Sequence, residues 1–376
     1  MRKSWSRFAL CAIAVLAACG LLPNGAAAAG EETEVAFAER YREVLHGGIT
    51  STANSVITCG EAVTADATPC AETQRGSDGR GGEYDMTYID VDSDPNTYNS
   101  SRAELTLPPG AEVAHARLYW GANIRVGEQK PPEDNGRVLI AEPNGAYKEL
   151  LADSVIGHHD AGAYESFSAS ADVTALVRQA GAGSYTVGQI NVARGHSDTG
   201  GWGGWALVVA YEDEDEPLRE VALLDGFQAL DEPGEGLDLA VPELRTAADA
   251  GGSLGVVAFG GDRGQTGDSV SVSGAGGAAR QLTDSANPAT DVMNSTIGHL
   301  GTPTAAREPA HANTLGFDAD VFDVSPALAG GADRLGMHFA SGGDSYQIGA
   351  VFLQADAAAQ ATSPANPRPA VRPGPR

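Results

Sequence analysis

The sequence predicts an all-β protein, an antiparallel β-sandwich or jelly roll of two packed sandwich units with few short helices. Several segments alternate apolar and polar residues with period two between Gly, Pro and Asp, which is typical of half-buried strands. Other short runs are apolar throughout, as in central strands covered on both faces. Helical periodicity is scarce, and Gly-rich stretches separate most elements. These three observations together favour two layers of sheet around a common core.

The start of the chain predicts a secretory signal at residues 1–29, with three basic residues, an apolar run at 8–22 and four alanines at 26–29. The run is too short to span a bilayer comfortably, and no other segment approaches 18 apolar residues, so we expect a secreted protein with no transmembrane segment. An alternative is a lipoprotein anchored through Cys19, because residues 16–19 resemble a lipobox.

The cysteines agree with export. Cys59 and Cys70 remain once the predicted signal is removed, and in an oxidising compartment they are expected to form one disulfide. The alternative is a metal or redox pair, which the lack of CxxC spacing disfavours.

The body divides into predicted elements in chain order. Strands are predicted at residues 112–120, 205–211, 255–259, 335–340 and 350–353, and short helices at 36–45 and 172–180. We also expect residues 205–211 and 220–225 to form a hairpin, with the acidic residues 212–216 as a solvated tip or, alternatively, a cation site.

A soft domain division is placed near residue 215. The first sandwich domain would comprise residues 30–215 and the second residues 216–356. Residues 357–376 are rich in Ala and Pro and predict a disordered tail.

The charge balance excludes two classes of partner. The chain has 24 Lys+Arg against 50 Asp+Glu, for a net charge of -26, and its body has no basic cluster. Nucleic acid and anionic membrane surfaces are therefore not expected as partners. The sequence leaves the oligomeric state open.

Signatures of common enzymes are missing from the sequence. There is no HExxH zinc helix, no phosphate-binding GxxxxGK[ST] loop and no GxSxG nucleophile elbow. Two Gly-Asp-Ser tripeptides, at 267–269 and 343–345, resemble esterase and protease motifs. We interpret them as turns, because Asp and Ser side chains bond readily to nearby backbone amides.

One acidic stretch has the spacing of a calcium loop. Asp90, Asp92, Asp94 and Asn96 place oxygen ligands at every second residue, which suits Ca²⁺ when the chain curls. Pro95 stands where an EF-hand needs Gly, so an EF-hand is rejected. The alternative to a calcium loop of another kind is a connection rich in Asx turns with no ion. A second, weaker acidic cluster comprises Asp318, Asp320 and Asp323.

Two tryptophans lie in or beside the Gly-rich stretch 200–204. Trp202, flanked by glycines, is a candidate platform for ligand stacking, whereas Trp205 begins an apolar strand and is expected in the core.

Two resemblances follow from longer segments. Residues 172–177, with glycines at 181 and 183 and a strand at 185–187, resemble a passage of sugar-binding-type jelly rolls, which implies architecture and no particular ligand. The chain from about residue 40 to 355 is similar to a family of uncharacterised secreted and cell-surface proteins of actinobacteria. The segments that carry this likeness are residues 84–101, 105–122, 204–211, 260–269, 284–296 and 315–320. The resemblance implies no catalytic residues.

We therefore expect a non-enzymatic exported surface or extracellular protein with a binding or structural role, directed at carbohydrate or matrix and stabilised by Ca²⁺. The alternative is a secreted carbohydrate-active hydrolase with paired carboxylates drawn from Asp90, Asp92, Asp318 and Asp320.

Overall fold

A computed structural model describes residues 30–274 and 276–358 of the chain. The predicted signal at 1–29 and the predicted tail from residue 359 onward lie outside the described residues. The first two residues of that predicted tail are described. The amide of Ala357 donates to the carbonyl of Leu218 (2.9 Å), and the amide of Ala358 donates to that of Arg245 (2.7 Å).

The described chain is built almost entirely from strands, joined by three short α-helices and two 3-10 turns. The first twelve strands are β1 Glu31–Glu32, β2 Val35–Ser55, β3 Ile57–Ala62, β4 Tyr84–Tyr88, β5 Ser100–Leu105, β6 Glu112–Asn123, β7 Arg137–Ala141, β8 Lys148–Leu151, β9 Ile156–Asp160, β10 Glu165–Asp172, β11 Gly183–Gly188 and β12 Gly203–Glu212. The others are β13 Leu218–Leu230, β14 Gly236–Pro242, β15 Gly252–Phe259, β16 Ser269–Gly274, β17 Arg280–Gln281, β18 Ile297–His299, β19 Thr302–Pro303, β20 Arg307–Glu308, β21 Phe317–Asp323, β22 Arg334–Ala340 and β23 Tyr346–Asp356. The helices are α1 Cys70–Thr73, α2 Thr174–Ala180 and α3 Ser325–Leu328, and the 3-10 turns are Gly81–Glu83 and Pro132–Asp134.

The strands form one 12-stranded sheet, in the order β1-β9-β10-β6-β12-β2-β13-β23-β15-β21-β18-β19, and three smaller sheets. The five-stranded sheet has the order β20-β5-β11-β7-β8, the four-stranded sheet β14-β22-β16-β17, and β3 pairs with β4. Nearly all pairings are antiparallel; β1 with β9 and β18 with β21 are parallel. The predicted all-β sandwich fold is confirmed.

The long strand β2 divides the large sheet into two arms. Its residues 35–46 pair with β13, and its residues 47–55 pair with β12. One apolar cluster joins the β12 arm to the five-stranded sheet, which makes the first sandwich. A second cluster joins the β13 arm to the four-stranded sheet, which makes the second sandwich. A third cluster contains residues from both arms, so the two sandwiches pack against each other through the arms of one sheet.

Gly47 forms the corner at which β2 passes from one arm to the other. Its φ is +143°, and a Cβ at this position would lie 2.0 Å from the carbonyl oxygen of Tyr211. Because only glycine avoids both the strain and the collision, the bend between the arms depends on this residue.

The structure corrects two predicted elements. Residues 36–45, predicted as a helix, are part of β2, because pairing with β13 outweighs the helix propensity of their Ala, Glu and Arg residues. The predicted hairpin is also wrong: β12 and β13 lie on opposite sides of β2 and do not pair with each other. The predicted helix at 172–180 is confirmed as α2, and the predicted strands match β6, β12, β15, β22 and β23.

The division near residue 215 falls between β12 and β13 and stays a prediction. Segments from each side cross it, since the first part of β2 joins the second sandwich and β20 pairs with β5 in the first. Across the described ranges, none of the helices combines the length and the apolar character that crossing a bilayer requires.

Candidate functional site

A cavity of about 500 Å³ opens where loops of the two sandwiches meet. The first sandwich contributes the segment after β3, the start of β10 and the turn before β12; the second contributes the turns after β15 and before β23. The lining residues are Thr64, Asp66, Arg80, Gly82, Glu83, Tyr164, Asp198, Thr199, Trp202, Gly260, Asp262, Gln265, Asp344, Ser345 and Gln347. A volume of this order suits a small organic ligand.

An aromatic pair forms one wall of the cavity. The rings of Tyr164 and Trp202 meet edge to face, with centroids 5.1 Å apart. Gln347 donates from Nε2 to the hydroxyl of Tyr164 (3.1 Å), and that hydroxyl donates to Asp231. The Trp202 indole nitrogen and Gln347 Oε1 are buried and have no hydrogen-bond partner among the described residues. These hydrogen bonds thus fix Tyr164 within the wall, and two polar atoms of the wall remain without a partner among the described residues.

The second sandwich contributes two carboxyl groups to the lining of the cavity. The backbone amide of Asp262 donates to Asp344 Oδ2 (3.1 Å), and Gln265 Nε2 donates to Asp344 Oδ1 (3.0 Å). Asp344 is 1% exposed, whereas Asp262 is half-buried. Asp344 therefore anchors the loop that presents Asp262 and Gln265 to the cavity.

Arg80 links the two sandwiches at the cavity. Its Nη1 donates to Gln265 Oε1 (3.2 Å), and its Nη2 lies 3.4 Å from Glu83 Oε1. It is the single basic residue among the lining residues, which include five acids: Asp66, Glu83, Asp198, Asp262 and Asp344. The site is therefore acidic and disfavours anionic ligands.

Burial raises the pKa values of both of these carboxyl groups. Burial raises the pKa of Asp344 to about 9, and the nearby charges of Asp262 and Asp268 act in the same direction. Burial likewise raises the pKa of Asp262 to about 7, against the opposing effect of Arg80. At neutral pH Asp344 holds a proton, so the site offers a carboxylic acid donor beside acceptor oxygens.

The cavity combines an apolar ring wall with donors and acceptors on several sides. Such a mixture suits a ligand that has both hydroxyl groups and C–H faces. A protonated Asp344 is also the chemical form that a general acid requires.

The four residues of the predicted calcium loop lie in the first sandwich, between β4 and β5. Asp92 Oδ1 accepts from the Asp94 amide (2.8 Å), and Asp94 Oδ1 accepts from the amide of Asn96 (2.9 Å). Tyr147 donates to the other oxygen of Asp92, and Ser100 donates to Asp90 Oδ1 (2.8 Å). Donors of the protein thus already occupy these carboxylates in Asx-type turns, and calcium at this loop stays a prediction.

The second acidic cluster is split by the structure. Asp318 and Asp320 are buried, whereas Asp323 is exposed at the end of β21 and accepts from the amide of Ser325 (2.9 Å). Asp318 and Asp320 bond to Thr296, and share no hydrogen-bond partner with the loop at residues 90–96. Within residues 30–274 and 276–358, no three His, Cys, Asp or Glu side chains are grouped as a metal would need.

The two tryptophans are both buried. Trp205 is fully buried and donates from its indole nitrogen to Ser101 Oγ (2.9 Å). Trp202 is 5% exposed, so only a small part of its ring borders the cavity, and ligand stacking on it stays a prediction. The predicted disulfide between Cys59 and Cys70 is present, and it closes the segment that leads into the cavity wall.

Sequence reasoning missed the cavity residues Asp262, Gln265 and Asp344. Asp344 belongs to a Gly-Asp-Ser tripeptide whose sequence predicts a turn, and the signal within it is an aspartate two residues before a strand. Asp262 and Asp344 are separated by 82 residues, so their contact follows only from the pairing of β15 with β23.

Comparison with solved structures gives distant likenesses. The major capsid protein P2 of bacteriophage PM2 is 12% identical, with 72% of this chain and 97% of that chain covered and a TM-score of 0.21. PNGase F, a glycosylasparaginase from Flavobacterium meningosepticum, is 11% identical, with 81% and 96% covered and a TM-score of 0.22. Scores this low carry no argument about function.

No curated protein matches the chain. A family model described as "Protein of unknown function (DUF3344)" matches residues 78–356, which include most of both sandwiches and the greater part of the cavity lining. Since the match extends over more than half of its residues, the chain belongs to this DUF3344 family.

Proposed function

We propose that this protein is an exported, non-enzymatic binding protein that takes a carbohydrate or a similar polyhydroxylated matrix component in the cavity between its sandwiches. The observation that carries the proposal is the juxtaposition of the Tyr164–Trp202 pair with Asp262, Gln265 and Asp344 around one space of about 500 Å³. Hydroxyl groups need donors and acceptors in fixed positions, and the C–H faces of a sugar need an apolar ring.

The charge of the site restricts the class of glycan that it can bind. Even with Asp344 protonated, the four other acids around the cavity outnumber its one arginine, so a neutral or cationic glycan is favoured over a sulfated or phosphorylated one. Arg80 does not reverse this preference, because Glu83 and Gln265 already engage its guanidinium.

Export is supported by the disulfide together with the predicted signal. A disulfide persists in oxidising compartments and is rare in the cytosol. The Cys59–Cys70 bond closes the segment that contributes Thr64 and Asp66 to the cavity lining, so an oxidising compartment would also favour the fold of this part of the proposed binding site.

A glycan array followed by calorimetry with the best ligand tests the proposal. Gln265→Ala is expected to weaken binding at least about tenfold, because the change removes a hydrogen-bonding group at the cavity and loosens Asp344. Gln228→Ala is the matched control, since Gln228, on β13, is equally half-buried but bonds to Glu34 away from the cavity lining. The affinity of this variant is expected to equal that of the unchanged protein. Absence of glycan binding at millimolar concentration, or equal affinity for the Gln265 variant, would contradict the proposal.

A second candidate function is hydrolysis of a glycosidic bond. The favouring observation is the protonated Asp344 beside Asp262, since a two-carboxylate mechanism needs one acid whose pKa is raised. Chromogenic glycosides separate the two functions. Turnover that Asp344→Asn abolishes while binding persists would establish the hydrolase, whereas binding without turnover supports the leading proposal.

A further inference from the structure

Strand β21 directs two aspartates into the second sandwich. Asp318 and Asp320 are 1% and 2% exposed and lie on the same face of the strand, because side chains two residues apart point the same way. Phe322 continues that face into the apolar core between the β13 arm and the four-stranded sheet. Two carboxylates buried at the edge of an apolar core require compensation by donors, protons or a cation.

The surroundings of Asp320 are rich in oxygen. The Thr296 hydroxyl oxygen lies 2.8 Å from Asp320 Oδ2, 2.8 Å from Asn287 Oδ1 and 2.9 Å from Asn294 Oδ1. Other contacts fix the amide orientations: Asn287 Nδ2 donates to Asp284 Oδ1 (3.1 Å), and Asn294 Nδ2 donates to the carbonyl of Ala286 (2.8 Å). Both amide oxygens therefore face Thr296.

This arrangement has too few protons. A hydroxyl donates one hydrogen, so Thr296 can satisfy one of the three oxygens around it. A proton on Asp320 would satisfy one more contact and still leave an amide oxygen without a donor. Asp320 Oδ1 and Asp284 Oδ2 are also buried with no partner among the described residues. Burial raises the pKa of Asp320, and the charge of the nearby Asp284 acts in the same direction.

The backbone leaves space at the unpartnered oxygen. β18 runs parallel to β21 and places Gly298 opposite Asp320. A Cβ on Gly298 would lie 2.8 Å from Asp320 Oδ1, inside contact distance. Glycine at this position therefore keeps the Oδ1 side of the carboxylate free of side-chain carbon.

We propose that Asp284, Asn287, Asn294, Thr296 and Asp320, which we call the Asp320 cage, bind one Ca²⁺. Two carboxylates balance the charge of one divalent cation, and carboxylate, amide and hydroxyl oxygens are the ligands of a hard ion. Calcium accepts six to eight oxygens in irregular geometry, whereas Mg²⁺ demands a near-ideal octahedron and keeps most of its waters. A cation bound among these oxygens satisfies the lone pairs for which the site has no hydrogen to donate.

The test is calcium content and thermal unfolding of the full chain. After dialysis against micromolar Ca²⁺, elemental analysis is expected to find one calcium per chain. Transfer from millimolar CaCl₂ to excess EDTA is expected to lower Tm by about 5–10 °C, because an ion bound only by the folded state stabilises it. No bound calcium together with an unchanged Tm in EDTA would overturn the proposal.

Asp320→Asn separates a cation from a proton. If Ca²⁺ occupies the cage, this variant loses both the bound calcium and the response to EDTA. If a proton compensates the burial instead, the variant unfolds at the same or a higher temperature than the unchanged protein, and the proposal fails. Should the variant not fold, Asn287→Ala removes one neutral ligand and is expected to lower the affinity for Ca²⁺ at least about tenfold.

Asp92→Asn is the matched control in the other acidic region. It is expected to retain one bound calcium and the full Tm response. Loss of the calcium in Asp92→Asn, with its retention in Asp320→Asn, would assign the ion to residues 90–96 and overturn the Asp320 cage.

Discussion

Two acidic regions of this protein differ in how they satisfy their carboxylates. The loop at residues 90–96 concentrates its acids within one short stretch, where backbone amides and hydroxyls of the same region donate to them. Five acids of the second sandwich, Asp262, Asp268, Asp318, Asp320 and Asp344, are dispersed in sequence and gathered by folding. Three of these five, Asp268, Asp318 and Asp320, have a buried oxygen with no donor in the part of the chain that the structure describes. The carboxylates of the loop at residues 90–96 thus have hydrogen-bond donors nearby, whereas the acids of the second sandwich need protons or a ligand.

The stability that each region contributes is predicted to change with pH in opposite directions. Burial raises the pKa of Asp344 to about 9, with charges of Asp262, Asp268 and Asp291 adding to the effect. Between pH 5 and 8 the folded state then binds a proton that the unfolded chain has released, so stability falls as pH rises. We expect this group to contribute a slope of about 1.4 kcal/mol per pH unit, and Asp344→Asn to remove it.

Asp92 should behave in the opposite way. Burial acts to raise its pKa, but hydrogen bonds from Tyr147 and the Asp94 amide outweigh it and leave the pKa lowered. Its contribution is therefore present at neutral pH and lost as pH falls through the acid range. Urea unfolding at pH 3 to 8 measures both effects: the gap between Asp92→Asn and the unchanged protein should close toward low pH. If the free energy of unfolding varied with pH in the same way for Asp92→Asn and Asp344→Asn, the predicted difference between the two acidic regions would be wrong.

A matched pair of threonines tests how much each region depends on its hydroxyl. Thr296 contacts three oxygens in the Asp320 cage, and Thr296→Val leaves them without any donor, which we expect to destabilise the protein by about 3 kcal/mol. Thr97 donates to the carbonyl of Asp94 (3.0 Å) in a loop that has other donors, so Thr97→Val should cost about 1 kcal/mol. Chemical denaturation compares the two variants, and equal losses would mean that the cage is no more sensitive than the loop.

The smallest expected effect concerns calcium at residues 90–96. Because donors of the protein already occupy Asp92 and Asp94, an ion would have to displace them, and we expect millimolar Ca²⁺ to shift the Tm of Asp320→Asn by less than about 1 °C. The same titration on Asp92→Asn provides the comparison. A large shift in Asp320→Asn would restore the loop as a calcium site.

The sequence predicted the strands that are apolar or alternating, because those patterns reflect which face is buried. It failed at residues 36–45, where good helix formers lie in the strand that joins both arms of the large sheet. It also failed at the supposed hairpin, since β2 inserts between β12 and β13. Both errors concern pairing between strands distant in the chain, which local propensity does not encode.

The sequence by itself determined the all-β class, the Cys59–Cys70 bond and the acidity of the protein, since composition, spacing and period two are local properties. Tertiary structure decided which acids matter. Asp262 meets Asp344, and Asp320 meets Thr296, through sheet pairings that unite residues far apart in the chain. Burial then changes the protonation and ligand needs of these groups, because an aspartate inside a sandwich lacks the water that stabilises its charge.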